Sequence, residues 1–258
     1  MKLFSIWCEC QREEAPRKRY WQFRERSAGR AAIAGVLPDI IRSHYDDINR
    51  IAEAVKDLGY ATAAGLLAER LPRTPRARSG ELGEILATEL IEEELGFEVP
   101  VRRLRYKDGR EMALRGDDFI GVRIDQSNKL CLLKGEAKSR AQLEKTTIDE
   151  ARAALSRDNG RPTPISLLFV ADRLMDCTDA KADLGRMIRN EVAYKTLPAS
   201  QIDHAIFTFS GNEAPAALKN DLLAAGTDRT QTVIHLRVVD HQAFIKISYE
   251  SAGELGNN

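Results

Sequence analysis

The chain has 258 residues, 43 % hydrophobic and 30 % charged, with 39 Lys and Arg balanced by 39 Asp and Glu. That length holds one large domain or an ordinary domain with an extension, and the apolar content suffices for a core. Zero net charge argues against a protein that simply coats nucleic acid, whereas a nuclease whose carboxylates hold metal can be neutral overall. The longest apolar runs, such as Ile165–Ala171, are far too short to span a membrane, and the opening residues lack the apolar length of a signal peptide. Four cysteines are present, and Cys8-x-Cys10 has no second pair and no nearby His with which to complete a zinc site. A cytoplasmic protein with reduced thiols is expected.

Residues 1 to 30 combine Arg12, Arg17, Lys18, Arg19, Arg24, Arg26 and Arg30 with Tyr20, Trp21 and Phe23. Charge for phosphates and rings for bases suit a nucleic-acid surface, and the same rings could equally pack on the body of the protein. From Pro38 the apolar residues Ile40, Ile41, Tyr45, Ile48, Ile51 and Val55 recur at helical spacing, with Gly59 as the stop and a second, Ala-rich helix over Ala61–Leu71. Pro72–Ser79, with two prolines and three arginines, reads as a linker, which divides the chain into an N-terminal helical and basic-aromatic region (1–72) and a second domain (79–258).

Beyond the linker, helices and strands alternate. Gly80–Leu95 reads as a helix capped by Ser79 and ended by Gly96. Strands are expected at Val99–Tyr106, Asp118–Ile124, Leu130–Lys138, Ile165–Val170, Ala205–Phe209 and Thr232–Val239, and helices at Ala141–Leu155, Ala180–Tyr194 and Ala214–Ala224. The expected fold class is α/β, a mixed sheet with helices on its faces.

Three segments carry the chemistry: the helix Gly80-Glu81-Leu-Gly-Glu84, the strand entry Gly116-Asp117-Asp118, and the apolar strand ending in Glu136-Ala137-Lys138. Alternation along a strand points Glu136 and Lys138 the same way, and charges at the end of a buried strand are rare unless they are paired or bind metal. A hairpin would bring Asp118 beside Glu136. Two carboxylates with a backbone carbonyl, that of Ala137, form an all-oxygen site suited to Mg²⁺ or Mn²⁺. Lys138 would then orient the attacking water or stabilise the phosphorus centre, with a helical glutamate completing the metal shell. The competing reading is a surface salt bridge at Glu136–Lys138 and a solvated turn at Asp117-Asp118. Scattered His44, His204, His235 and His241, and the absence of P-loop and Gly-x-Ser-x-Gly patterns, argue against a zinc hydrolase, a motor and an esterase.

The order helix-Glu, strand-Asp, Glu-x-Lys resembles the PD-(D/E)xK nuclease superfamily. Gly-Glu-Leu-Gly-Glu-Ile-Leu, Arg-Gly-Asp-Asp-Phe-Ile-Gly-Val and Lys-Gly-Glu-Ala-Lys-Ser together resemble the HamA nuclease subunits of Hachiman antiphage defence. The resemblance spans about residues 79 to 250, with motif-level detail only in 80–140. It implies a PD-(D/E)xK nuclease-like mixed sheet behind the N-terminal helical region, and a metal-dependent deoxyribonuclease with a helicase subunit as partner. It also implies a site of Asp118, Glu136, Lys138 and Glu84, with Glu84 and Asp118 preferred over the alternates Glu81 and Asp117. The apolar stripe Ile40, Ile48, Ile51 and Val55 would help residues 1–72 dock the partner or grip DNA. The other function class is a non-catalytic scaffold, or a nucleic-acid-binding subunit, for a partner ATPase.

Overall fold

The structure, a computed structural model, describes residues 2–112, 114–178 and 180–254. In chain order its elements are α1 (Leu3–Trp7), β1 (Cys8–Ala15), β2 (Lys18–Glu25), α2 (Gly29–Ile33), α3 (Leu37–Tyr45), α4 (Ile48–Leu58), α5 (Tyr60–Ala68), α6 (Pro75–Leu90), β3 (Phe119–Ile124) and β4 (Leu130–Arg140). There follow α7 (Lys145–Ser156), α8 (Pro164–Met175), α9 (Ala180–Tyr194), β5 (Ile202–Ser210), α10 (Pro215–Ala224), β6 (Gln231–Arg237) and α11 (His241–Gly253). The six strands form one sheet in the order β1-β2-β6-β5-β4-β3. The middle four are parallel, and the outer strands β1 and β3 run antiparallel to their neighbours. The α/β class with a mixed sheet flanked by helices is therefore what the chain adopts.

Side-chain alternation sorts the core onto two faces of the sheet. Leu133, Phe207, Phe209 and Leu236 pack beneath Leu82, Ile85 and Leu86 of α6, Ile41 of α3, and Phe244 and Ile245 of α11. On the opposite face, Ile206 and Val233 meet Ile148 and Leu155 of α7 and Leu218 of α10. Further along that face, Ile120, Val122 and Leu132 meet Leu167 and Val170 of α8.

Several sequence expectations need correction. The stretch Ile165–Val170 is helical, not a strand: Pro164 stands at the first turn, and Leu167, Val170, Ala171 and Leu174 bury one face. Val99–Tyr106 forms no strand beyond a single bridge between Glu98 and Val122, and closes in a short 3₁₀ turn at Arg103–Tyr106. Pro72–Ser79 is not a free linker, because Pro75 begins α6 and the Thr74 hydroxyl caps it by accepting from the Ala77 N–H at 3.3 Å. Ser79 therefore lies inside the helix, where its hydroxyl meets that of Ser139 at 2.8 Å. The helical run from Pro38 breaks at Asp46, which is extended, and restarts with Asp47 as the cap of α4.

Residues 1–72 are also not only helical. Residues 8–25 fold into a hairpin whose second strand pairs with β6, so the sheet draws on both sides of the Pro72–Ser79 connection. Tyr20, Trp21 and Phe23 are buried in this sheet, and the Arg12 guanidinium lies 4.5 Å over the Trp21 ring. The packing reading of this segment holds, and no ring-stacking surface for bases is presented.

Candidate active site

The β3–β4 ladder ends with Phe119 opposite Gly135. One step further along the same antiparallel register Asp118 comes opposite Glu136, and the backbone of β4 beyond that point has no strand on its outer side. Asp118 covers part of this open edge: its Oδ2 accepts the Ala137 N–H at 2.8 Å. The Ala137 carbonyl shares that edge, since the N–H and C=O of one strand residue face the same neighbour. The Gly135 position is obligatory here. A Cβ would sit 1.9 Å from the Phe119 ring, which folds over the strand just before the acids.

Glu136 and Lys138 do point the same way, with Lys138 Nζ 2.6 Å from Glu136 Oε1. Glu136 is 7 % exposed. Burial and the neighbouring Asp118 carboxylate push its pKa up to about 7, against the pull of Lys138. Asp118 is raised by burial too, held down by the Ala137 N–H and by Lys138.

Glu84 approaches from α6. This helix lies close on β4 because Gly83 has no side chain: a Cβ there would come 3.2 Å from Ser139 Cβ. The Glu84 carboxyl is raised well above the usual range by burial and then by Asp118, with Glu136 adding to the effect. Among the described residues its carboxylate accepts no hydrogen bond, and neither does Asp118 Oδ1 or Glu136 Oε2. Three acids thus crowd one another with oxygens left unused.

The alternates are placed differently. Asp117, 5 % exposed, faces α8. Its Oδ2 accepts the Thr163 N–H at 2.7 Å and the Thr163 hydroxyl at 3.0 Å, its N–H donates to Ser166 Oγ at 2.8 Å, and Lys134 Nζ lies 3.5 Å from Oδ1. Glu81, one helical turn before Glu84, accepts from the Tyr45 hydroxyl at 2.6 Å and pairs with Lys107. Tyr45 in turn meets the Tyr249 hydroxyl at 2.9 Å.

Among the described residues no three acidic, His or Cys side chains close into a metal cage. The donor set at the open edge nevertheless suits a hard divalent cation: unused carboxylate oxygens on Asp118 and Glu136, with the main-chain carbonyl of Ala137 between them. A cation there would also offset the burial that raises all three carboxyls and the Asp118 repulsion that adds to it at Glu84 and Glu136. Mg²⁺ or Mn²⁺ therefore fits these residues, with Glu84 positioned to complete the shell.

Cations that the sequence alone did not single out surround the acids. Arg103 ties down the chain before β3, donating to the carbonyls of Arg115 at 2.6 Å and Asp118 at 3.1 Å and also to that of Asp117. Lys134, 1 % exposed, sits one alternation before Glu136 and donates to the Arg157 carbonyl at 2.9 Å. Neither follows from spacing, because both act through contacts between distant segments. A cleft of about 700 Å³ opens beside Glu84, lined by Arg76, Glu81, Ser139, Arg140 and Gln242 among others.

Among the described residues no helix is long and apolar enough to cross a membrane. In comparison with known proteins, the chain is 27 % identical over 226 residues to the Hachiman protein HamA of Bacillus cereus, an alignment covering 86 % of this chain and 79 % of the relative. The HamA family pattern itself matches residues 1–252, so the hairpin and α11 are as much part of the family's unit as the acids. The chain belongs to the HamA family of Hachiman antiphage defence.

Proposed function

We propose that this protein is a metal-dependent deoxyribonuclease that acts in antiphage defence together with a helicase subunit. The observation that carries the reading is the meeting of Asp118 and Glu136 at the open edge of β4, both with unused oxygens, beside the ammonium of Lys138. A bound Mg²⁺ or Mn²⁺ would supply charge neutralisation on the phosphate and acidify a water. Asp118, Glu136 and the Ala137 carbonyl would hold it, with Glu84 at its flank. With Glu136 engaged by the cation, the Lys138 ammonium, 2.6 Å from Glu136 Oε1, would be free to orient the nucleophile and offset developing charge on the phosphate. The Asp118–Ala137 hydrogen bond fixes one carboxylate before substrate arrives, so little reorganisation is left to the reaction.

The partner is inferred from the resemblance to Hachiman nuclease subunits. In support, α4 leaves Ile48 60 % exposed, while Ile51 beside it is half-buried against the core. No P-loop is present with which the chain could drive its own regulation.

The decisive experiment is cleavage of DNA by the full chain, with and without its partner, in Mg²⁺ and in chelator. Glu136→Ala and Lys138→Ala are each expected to lower the rate by 10³-fold or more with far-UV circular dichroism unchanged. Full activity of either variant would remove it from the mechanism. A chain with no metal-dependent cleavage under any of these conditions would be a scaffold instead.

A further inference from the structure

Three successive residues between α7 and α8 have left-handed backbone: Asp158 (φ 54°), Asn159 (φ 56°) and Gly160 (φ 73°). Two of them carry side chains, and such a run persists only where its surroundings hold it. The surroundings here are buried hydrogen-bonding side chains. Arg229, 7 % exposed, donates Nη1 to the Gly160 carbonyl at 2.7 Å and Nη2 to the Asn159 carbonyl at 3.3 Å. His204 Nε2 lies 2.8 Å from the same Gly160 carbonyl. Lys134 reaches up from β4 to the Arg157 carbonyl. A side chain at position 160 would collide with this clamp, its Cβ falling 2.6 Å from Arg229 Nη1.

Every one of these ties grips main chain, and none occupies the side chain of Arg157. Among the described residues that guanidinium makes no hydrogen bond or ion pair, and it is exposed. Its location is nevertheless fixed. Lys134 and Glu136 share a face of β4 about 7 Å apart, as residues two apart on a strand do, so the carbonyl that Lys134 holds lies over the same face of the sheet as the Glu136–Lys138 pair. The positive charge of Arg157 also acts on Glu136.

We propose that Arg157 is a substrate-contacting residue of this site, its guanidinium taking a backbone phosphate of the strand next to the one being cleaved. The inference rests on the nuclease reading above. A planar, permanently charged fork suits a phosphate better than the Lys138 ammonium does, and the fork of Arg103 is already taken up by the carbonyls of Arg115 and Asp118. A clamped main chain removes backbone ordering from the cost of binding and leaves only the side-chain rotamers of Arg157 to be fixed. The loop thus pairs a rigid base with a free cation, which is the division of labour a strand-gripping contact needs.

The test uses the full chain and a fluorescent DNA oligonucleotide, with Ca²⁺ replacing Mg²⁺ so that binding is read without cleavage, across a series of salt concentrations. Arg157→Ala is expected to weaken binding about tenfold and to reduce the slope of log Kd against log salt by about 0.7–0.9, the signature of one lost phosphate contact. Arg157→Lys should restore the slope, and with Mg²⁺ the alanine variant should raise KM about tenfold with kcat within about threefold of wild type. The unfolding midpoint of either variant should not move, because the side chain is exposed and unpaired. If wild type binds and cleaves while Arg157→Ala matches it in affinity and slope, this proposal alone falls. If wild type neither binds nor cleaves DNA, the nuclease reading falls and takes this one with it.

Discussion

Two acid–base groups stand within a few residues of each other on β3 and β4, and they differ in nearly every physical respect. Asp117 with Lys134 is closed off. Both side chains are buried under α8, and the aspartate is met by the Thr163 N–H, the Thr163 hydroxyl and the ammonium. Asp118 with Glu136 and Lys138 is unfinished: burial raises Asp118, burial and the Asp118 charge raise Glu136 and Glu84, and among the described residues several of their oxygens have no donor. A buried charge that is fully paired holds two elements together, whereas crowded carboxylates with unmet oxygens cost stability and are kept where a ligand repays them. Adjacent residues in the sequence thus belong to different tasks: Asp117 turns to the start of α8, and Asp118 turns to the open edge of β4.

The strongest way to break that contrast is to neutralise each aspartate. Asp118→Asn should lower cleavage by 10²–10³-fold while leaving stability unchanged or slightly higher, since it removes one of the repelling charges. Asp117→Ala should do the reverse. It strands the Lys134 ammonium, so the urea midpoint should drop by the equivalent of about 3 kcal/mol, the scale for breaking one partner of a buried ion pair. Its cleavage per folded molecule should stay within about tenfold. Equal loss of activity from both, with equal loss of stability, would mean that the two groups are one unit.

A second test uses pH. In the metal-free fold Glu136 keeps its proton up to about pH 7, against 4.5 for an ordinary glutamate. The folded state therefore binds more protons than the unfolded chain between those values, and stability should fall as pH rises from 4.5 to 7 and then level off. The upper bound on that change is about 3 kcal/mol at 1.36 kcal/mol per pH unit. Metal binding must displace the Glu136 proton, so metal affinity should weaken by up to tenfold per unit below pH 7 from this group alone, with about one proton released from Glu136 per ion near pH 6 and almost none from it above pH 8. Calorimetry of Mg²⁺ or Mn²⁺ binding in buffers of different ionisation enthalpy measures that release directly. Glu136→Gln should remove the Glu136 share of both trends, leaving the part that comes from Glu84 and Asp118.

How much of this was legible from the residues follows the range of the forces involved. The end of β4 was readable because alternation is local, and the pairing of Glu136 with Lys138 needs nothing beyond one strand. The register that sets Asp118 opposite Glu136 depends on a short hairpin, also nearly local. The start of α6 was misplaced because Pro72 and Pro75 look like breakers, although proline is at home in a first helical turn behind a threonine cap. Ile165–Val170 was misread because a short apolar run fits a buried strand or a buried helix equally well. The hairpin at 8–25 went unseen since β1 is an edge strand, mostly exposed and charged, with no clean alternation to betray it. The left-handed loop at Asp158–Gly160 had no sequence signal for its clamp, because Arg229 and His204 arrive from 40 or more residues away.

The smallest effects, and the sharpest discrimination, are expected on α6, where Glu81 and Glu84 are one turn apart. Among the described residues Glu84 has no donor, and the charges of Asp118 and Glu136 act on it. Glu84→Gln should slow cleavage about tenfold and weaken metal binding several-fold, with stability unchanged or improved as the repulsion is relieved. Glu81 is already spoken for by the Tyr45 hydroxyl and the Lys107 ammonium. An amide can still accept from Tyr45, but Lys107, itself almost wholly buried, loses its charge partner and keeps only the Arg110 carbonyl. Glu81→Gln should therefore cost about 1–3 kcal/mol of stability while cleavage by the folded protein changes less than threefold. Measuring both quantities on both variants separates the assignments, because a merely structural Glu84 would lower stability and leave metal affinity alone. A metal-binding Glu81 would show its loss in metal affinity, and that result would exchange the roles of the two glutamates.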